Sequence, residues 1–180
     1  MTQIKKKFFI FFFAVVFSLP IHHYDSIMVK AAEVKNFTDV ADQKSVIEEQ
    51  QKLKEMISAQ YSYIINTLTE EEKELICRIA YLEAGNQCIE GQRAVIEVIL
   101  NRIISPKWPN TVVGVLSAPR QFGTWKSRNR VSQKQINTMR IALNLVDYSK
   151  DTILPDNEYV YFNCKSKKNG IKIQSQWFWK

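Results

Sequence analysis

The chain has 180 residues, enough for one domain with a modest core. Hydrophobic residues make up 46% and aromatic residues 12% of the sequence, which excludes an intrinsically disordered chain. The formal net charge is +7, so the partners to consider first are anionic or neutral.

The N-terminus has the pattern of a secretory signal. Lys5-Lys6-Lys7 is a positive start, Phe8 to Phe17 is an uninterrupted apolar run, and Val29-Lys30-Ala31 places small residues before a cut after Ala31. The run is shorter than the roughly 20 residues of a membrane span. We predict a signal peptide over residues 1–31, secretion to the cell envelope, and membrane association that is transient and runs through this segment.

Removal of the predicted signal peptide lowers the formal charge from +7 to +4. The remaining charge suits a loose attraction to an anionic surface such as a cell wall. Export disfavours a nucleic acid as the partner, and we predict none.

Residues 32–68 are predicted to form a linker and a helical leader. The first part, 32–45, is polar and has no hydrophobic period, which is typical of a linker. From 46 to 68, apolar residues return at roughly helical spacing and give one weakly apolar face. The pattern favours a packed or partly free helix over a stalk that holds the domain away from the membrane.

Two helices are predicted at the start of a domain over residues 69–180. Thr69-Glu70-Glu71-Glu72 is a capping box, in which the first and last side chains satisfy each other's backbone N–H groups. The apolar run that follows ends at Glu83-Ala84-Gly85, so Glu83 lies at the end of the helix. The second helix is predicted to start near Ile89 and to stop before Ser105-Pro106.

The remainder of the domain mixes short elements. Thr111 to Leu116 fits a strand or a short helix, 118–125 a loop, and 132–147 a helix. Tyr159 to Phe162 is strand-like, and Asn169-Gly170 is a hairpin turn signal before the aromatic end of the chain. The order predicts an α+β fold, a small and mostly helical domain with a short C-terminal β-hairpin.

Several enzyme classes are disfavoured by what the chain lacks. Its only histidines, His22 and His23, precede the predicted cut, and no cysteine spacing matches a zinc motif. Amidases and peptidases usually need zinc ligands or a Cys–His or Ser–His pair. We therefore expect no metal and no cofactor. An odd number of cysteines predicts buried or unpaired thiols at Cys77, Cys88 and Cys164.

One carboxylate stands out, because no Asp or Glu occurs between Val98 and Val146. A carboxylate near a helix C-terminus and beside apolar residues has a raised pKa, which keeps a proton available. This predicts an enzyme that uses Glu83 as a single proton-transfer group on a polymer. Glu90 is expected to compensate a helix dipole, and Glu97 to face outward. In the alternative, Glu83 only forms an ion pair, with Lys73, Arg78 or Arg102.

Short motifs run through the domain in a fixed order: Glu83-Ala84, Glu90-Gly91-Gln92, Ala94-Val95, Val98-Ile99-Leu100-Asn101-Arg102, Trp108-Pro109-Asn110-Thr111, Val115, Gln121-Phe122 and Tyr161-Phe162-Asn163. In order and spacing they resemble the SleB/CwlJ-like cell wall hydrolases, which include enzymes that degrade spore cortex during germination. The resemblance covers roughly residues 71–179.

This resemblance implies a lysozyme-like fold that acts on peptidoglycan glycan strands. It further implies cleavage of the bond from N-acetylmuramic acid to N-acetylglucosamine, as a lytic transglycosylase or muramidase, with Glu83 as the catalytic residue. Two segments depart from the family pattern: Gly85-Asn86-Gln87-Cys88, where relatives often carry a charged loop, and Ile173 to Trp177, where they usually carry a Gly-Asn-His-like segment.

Four further residues are predicted to bind the substrate. Gln121 suits a hydrogen bond to an N-acetyl group, and Phe122 suits a wall of the cleft. Trp125 and Tyr161 offer flat faces on which sugar rings stack. Each of the three aromatic residues also fits a place in the core.

A basic run follows these residues, with Arg120, Lys126, Arg128 and Arg130. It fits either a solvated loop or a surface that contacts carboxylates of the wall. Two other functions stay open at this stage. One is a non-catalytic peptidoglycan-binding protein, and the other is a polyanion-binding or membrane-associated envelope protein, whose binding would fall steeply with salt.

Overall fold

Helix α1 spans Tyr24–Thr67 in the computed structural model, which describes the backbone of residues 24–180 and the side chains of residues 42–180. Apart from the backbone of 24–31, the predicted signal peptide lies outside the described residues. The segment 32–45, predicted as an irregular linker, is helical. Many of its residues have good helix propensity but form no apolar stripe, so a search for amphipathic periodicity misses them.

Residues 49–180 form one compact unit, and the description that follows concerns that unit. The α1 residues Ile57, Tyr61 and Ile65 are buried in its core. They lie four residues apart and therefore share one face of the helix. This part of α1 packs on the domain. Among the described residues, no helix is both long and apolar enough to cross a membrane.

Helices α2 (Glu70–Ala84) and α3 (Ile89–Ile104) form the predicted helical pair. The capping box is present: the Thr69 hydroxyl accepts from the Glu72 N–H at 3.2 Å, and the Glu72 carboxylate accepts from the Thr69 N–H at 3.0 Å. Gly85 follows the last residue of α2, and the position needs a glycine for a steric reason. A Cβ there would lie 2.6 Å from the Tyr81 carbonyl oxygen, too close for any other residue type.

Three further helical segments follow. The short element is helix α4 (Val112–Ser117), with the Thr111 hydroxyl accepting from the Gly114 N–H at 3.1 Å. The stretch predicted as a loop runs into a 3₁₀ helix at Gly123–Arg130, and the last helix is α5 (Gln133–Tyr148). Helices α2, α3 and α5 pack on one another around the core.

A small antiparallel sheet closes the chain, with strands β1 (Tyr161–Asn163), β2 (Ile171–Ile173) and β3 (Gln176–Trp179) in the order β1-β3-β2. The predicted hairpin is therefore part of a three-stranded sheet. Its turn is at Gln174 and Ser175, not at Asn169-Gly170, because β1 and β2 are not neighbours and pair with opposite edges of β3. The mostly helical α+β fold is confirmed, and the domain boundaries stay a prediction.

The sheet has an inner and an outer face, because side chains alternate along each strand. Gln176 and Phe178 are buried, whereas Trp177 and Trp179 are half-buried. Cross-strand pairing places Phe162 beside Phe178 on the inner face and Tyr161 beside Trp179 on the outer face. The inner face packs on the helical core through Phe178, which is fully buried.

Candidate functional site

Glu83 lies in the last turn of α2 and is half-buried. Its carboxylate oxygen Oε1 accepts a hydrogen bond from the Thr124 hydroxyl at 2.5 Å. Its backbone carbonyl accepts from the Gln176 side-chain amide at 3.0 Å. The 3₁₀ helix therefore contacts the carboxylate through Thr124, whereas the sheet contacts the backbone of the same residue.

Burial raises the pKa of the Glu83 carboxyl group above its usual range. The Thr124 hydroxyl and the Arg102 charge act in the opposite direction, because both stabilise the carboxylate, but burial is the larger effect. A raised pKa is the direction of shift that a general acid requires.

The alternative role of Glu83 as an ion-pair partner has no support in the geometry. Lys73 pairs with Glu70 at 3.1 Å, and Arg78 pairs with Glu74 at 2.6 Å. Within the described residues, neither these two cations nor Arg102 comes within ion-pair distance of Glu83. Within the described residues, no positive charge therefore stabilises the Glu83 carboxylate at ion-pair distance.

Thr124 is a site residue that the sequence did not reveal. It stands near the start of the 3₁₀ helix, which begins at Gly123 and follows an extended residue, Phe122. A threonine in a predicted loop carries no signal of its own. Only the packing of the 3₁₀ helix against α2 brings this hydroxyl to Glu83.

Arg102 is the charged neighbour of Glu83, and it is 3% exposed. Its Nε donates to the Val160 carbonyl at 2.8 Å, and its guanidinium carbon lies 4.4 Å from the Trp108 ring centroid and 4.9 Å from that of Phe122. Burial lowers the pKa of Arg102 to about 10, so it remains charged at neutral pH. The two aromatic faces compensate part of the cost of burying this cation.

The turn of the β2–β3 hairpin holds the loop after Glu83. Gln176 is on the inner face of β3 and donates to the Glu83 carbonyl, as described above. The neighbouring Gln174 side chain accepts from the Cys88 N–H, and the Ser175 hydroxyl donates to the Gln87 side-chain carbonyl at 2.9 Å. The two segments that depart from the family pattern, 85–88 and 173–177, are therefore in contact with each other just after the end of α2.

The structure brings two of the predicted substrate-binding residues near the 3₁₀ helix and buries a third. Gln121 is half-buried, and its side chain makes no hydrogen bond among the described residues, so it can bind a ligand. Trp125 is half-buried and stacks with the Arg128 guanidinium, 4.0 Å from the ring centroid. Phe122 is 4% exposed and packs against Phe162 at a centroid distance of 6.1 Å, so its observed contacts are those of a core residue.

Tyr161 is on the outer face of the sheet, away from the face that carries Gln176. It is 37% exposed, stacks on Trp179 at a centroid distance of 5.7 Å, and meets the Trp108 ring edge-on at 6.0 Å. Tyr161 and Trp108 line a surface cavity of about 380 Å³, together with Lys107 and Glu158. Tyr161 makes no hydrogen bond to Glu83 in the described part of the molecule.

The expectation that Glu97 faces outward is wrong, because its side chain is fully buried. Its two carboxylate oxygens accept from the N–H groups of Ile153 at 2.9 Å and Leu154 at 2.8 Å. Burial raises the pKa of Glu97 to about 7. Flanking Ile and Val residues signalled the burial of this stretch, but the loop that uses the carboxylate is more than fifty residues away in sequence.

Glu90 lies in the first turn of α3 and is exposed. Hydrogen bonding, first to its own backbone N–H, holds the pKa of its carboxyl group below the usual range. Of the three glutamates from 83 to 97, only Glu83 combines a raised pKa with a carboxylate that is partly open to solvent. Of these three glutamates, Glu83 is therefore the one best suited to exchange a proton with a bound molecule.

The three cysteines are free thiols that differ in exposure. Cys77 is buried, Cys88 and Cys164 are exposed, and within the described residues none forms a disulfide. Burial raises the pKa of the Cys77 thiol to about 12, so it remains a neutral core residue.

The family model of the cell wall hydrolases matches residues 86–180, and Glu83 lies three residues before that range. The spore cortex-lytic enzyme of Bacillus subtilis (strain 168) is 46% identical over 105 residues, which is 58% of this chain and 32% of that protein. The enzyme of the same name from Oceanobacillus iheyensis is 43% identical over 117 residues, 62% of this chain and 37% of that protein. The chain thus spans about a third of the length of these curated relatives.

Two solved structures are also similar. The catalytic domain of the Bacillus cereus SleB protein matches with a TM-score of 0.49 and 25% identity, over 64% of this chain and 94% of that one. The catalytic domain of the germination-specific lytic transglycosylase SleB from Bacillus anthracis matches with a TM-score of 0.48 and 25% identity, over 64% of this chain and 98% of that one.

Proposed function

Because this chain belongs to the cell wall hydrolase family, as its sequence predicts, we propose that it degrades peptidoglycan as a glycosidase, with Glu83 as its catalytic residue. The observation that carries the proposal is the state of this side chain. Glu83 is half-buried with a raised pKa, is oriented by one hydroxyl and is free of ion pairs among the described residues. The bond cleaved is that between N-acetylmuramic acid and N-acetylglucosamine.

The reaction proposed is that of a lytic transglycosylase, because the described residues that bond Glu83 include no second carboxylate. Most glycosidases use two. The elements that contact the Glu83 side chain and carbonyl, Gly123–Arg130 and β3, carry no Asp or Glu. One group must then act first as the acid and later as the base.

The single-acid reaction has two steps. Protonated Glu83 donates its proton to the glycosidic oxygen, and the bond from that oxygen to the anomeric carbon breaks. The resulting carboxylate then takes the proton of the C6 hydroxyl of the same muramic acid, whose oxygen bonds to the anomeric carbon and closes an anhydro ring. Glu83 ends in its starting state, and no water is consumed.

Substrate binding is proposed to use residues on both sides of Glu83. The Gln121 side-chain amide has no hydrogen-bond partner within the described residues and can bind the glycan. The Trp125 ring supplies an aromatic face on the 3₁₀ helix itself. Tyr161 contacts the glycan if the strand extends to the outer face of the sheet. Phe122 contacts it only if the ring moves out of the core. The envelope is the proposed location, through export by the N-terminal signal.

The test is mass spectrometry of purified peptidoglycan after digestion with the full-length protein and with its Glu83→Gln variant. Anhydro-muropeptides released by the wild type alone would support the proposal. Products with reducing ends would instead indicate hydrolysis and a water-activating group. Release of the same products by both proteins would exclude Glu83 as the acid, and no products from either would favour a non-catalytic wall-binding protein.

A further inference from the structure

Three cations stand exposed on the segment that leads into and through the 3₁₀ helix: Arg120, Lys126 and Arg130. We call them the basic ridge. Within the described residues none of the three takes part in a salt bridge. Arg128, the fourth cation of the segment, differs from them, because it stacks on Trp125 and donates to the Trp125 carbonyl at 2.9 Å.

The basic ridge is built on a held element and not on a loose loop. Arg78, on α2, donates to the Arg128 carbonyl at 3.3 Å and to the Val131 carbonyl at 2.9 Å. Exposed positions recur every three residues, at 123, 126 and 129, as expected for a 3₁₀ helix with three residues per turn. The backbone that carries Arg130 is therefore held at the C-terminal end of this helix.

Arg120 precedes this helix in a turn closed by the Gln121 N–H, which donates to the Ala118 carbonyl at 3.3 Å. Its φ of 64° places it in the left-handed region, which disfavours an Arg side chain and suits Asn or Gly. The Arg120 side chain is exposed, and a smaller residue would adopt this backbone conformation at a lower cost in free energy.

Neighbouring acids do not neutralise the ridge. The sequence has no Asp or Glu from Val98 to Val146, and two acids of α2 are paired with other cations: Glu70 with Lys73 and Arg140, and Glu74 with Arg78. The same 3₁₀ helix carries Thr124, whose hydroxyl binds Glu83. An uncompensated positive surface thus adjoins the proposed catalytic carboxyl group.

We propose that the basic ridge binds carboxylates of the peptidoglycan strand and so positions the strand over Glu83. This inference rests on the proposed function, because it names the anionic groups of the same substrate. Guanidinium groups form bidentate hydrogen bonds with carboxylates, and Lys126 adds a point charge between the two arginines in sequence. The carboxylates come from the lactyl groups of the glycan or from its stem peptides.

The experiment measures binding separately from cleavage. Full-length protein carrying Glu83→Gln, which cannot degrade its ligand if the proposed function holds, is sedimented with insoluble peptidoglycan at 150 mM salt. The test variant adds Arg120→Asn, Lys126→Gln and Arg130→Gln. The control variant adds Lys165→Gln, Lys168→Gln and Lys172→Gln, which remove the same charge from three exposed lysines of the β1–β2 loop and β2.

We expect about tenfold weaker binding for the ridge variant and less than a twofold change for the control, since exposed ionic contacts each contribute little and three act together. Equal weakening in both variants, or no change in either, would overturn the proposal. So would the absence of any wall binding by the parent protein. Failure of the binding prediction would not count against the proposed function, because cleavage is measured separately with the wild-type protein.

Binding to three preparations of peptidoglycan shows which carboxylate the basic ridge binds. Intact peptidoglycan offers stem-peptide carboxylates, glycan stripped of peptide by an amidase offers lactyl carboxylates, and peptidoglycan amidated with carbodiimide and ammonia offers neither. A ridge effect that is lost on stripped glycan assigns the stem peptide. One that becomes larger on stripped glycan assigns the lactyl group, whose carboxylate is free only where no stem peptide is attached. An equal ridge effect on amidated wall would exclude carboxylates and overturn the proposal.

Discussion

Two glutamates of the helical pair, Glu83 at the end of α2 and Glu97 in the middle of α3, have a raised pKa in common but differ in burial and in hydrogen bonding. Burial raises the pKa of both carboxyl groups. Glu97 is fully buried and gives each oxygen a backbone N–H partner, with Arg93 3.9 Å away. Glu83 is half-buried, and among the described residues Thr124 is the one residue that hydrogen-bonds its carboxylate.

The comparison teaches that a raised pKa does not by itself identify a proton-transfer group. A carboxylate whose oxygens are both bonded by the backbone of a distant loop joins that loop to a helix and has no room for a substrate. One that is half-buried at a helix end can meet a ligand. We therefore assign Glu97 to the fold and Glu83 to the proposed chemistry.

The largest expected effect separates the two residues by activity. Glu83→Gln should lower kcat on peptidoglycan by about a thousandfold, because general acid–base catalysis contributes 10²–10⁴-fold. Its thermal unfolding temperature should not fall, since the change removes a partly buried carboxyl group with one partner. Digestion rates and calorimetry check both points.

Glu97→Gln is the matched control for that experiment. Its kcat per folded molecule should stay within twofold of the wild type, because Glu97 is fully buried and cannot contact a substrate. A thousandfold loss in both variants would contradict the separation of roles.

The second effect concerns stability and pH. The folded-state pKa of Glu97 is raised from about 4.5 to about 7, so the folded protein keeps a proton that the unfolded chain releases. The stability difference between wild type and Glu97→Gln should then shift against the wild type by about 3 kcal/mol as pH rises from 4.5 to 7.5. Urea unfolding at five pH values measures it, and a difference independent of pH would disprove the buried proton.

The third prediction tests the Thr124 hydroxyl, which donates a hydrogen bond to the Glu83 carboxylate. Thr124→Val removes a hydrogen bond that stabilises the Glu83 carboxylate, so the pKa of Glu83 should rise further. The high-pH limb of the rate profile should move to higher pH, and kcat should fall about tenfold as the carboxyl group loses its orientation. Thr124→Ser keeps the hydroxyl and should restore both, which a purely structural role of the side chain would not predict.

The smallest effect tests the hairpin contact. Gln176→Met removes the amide that donates to the Glu83 carbonyl and should lower stability by about 1 kcal/mol, the typical value of such a bond. We expect kcat to fall about threefold with no shift of the pH profile, since the bond reaches the backbone and not the carboxylate. Gln174→Met, in the same turn but bonded to Cys88, is the control and should leave kcat unchanged.

The helices were predictable because their signals are local. The capping box at Thr69 and the apolar run to Glu83 depend on neighbours along the chain, and the structure places α2 where they predict it. The true hairpin turn at Gln174 was missed, because Asn169-Gly170 is the stronger local turn signal. The order of strands is a non-local property, in which β1 takes the edge of β3 that a simple hairpin would leave free.

By itself, the sequence determined the family, the helical pair and the position of Glu83 at a helix end, since each depends on spacing along the chain. The tertiary structure alone decided which groups meet that carboxyl group. Thr124 is 41 residues from Glu83, and Gln176 is 93 residues away. It also decided that Glu97 points inward, because a carboxylate follows whichever backbone N–H groups the folded chain leaves without partners, and periodicity within one helix does not report where those groups lie.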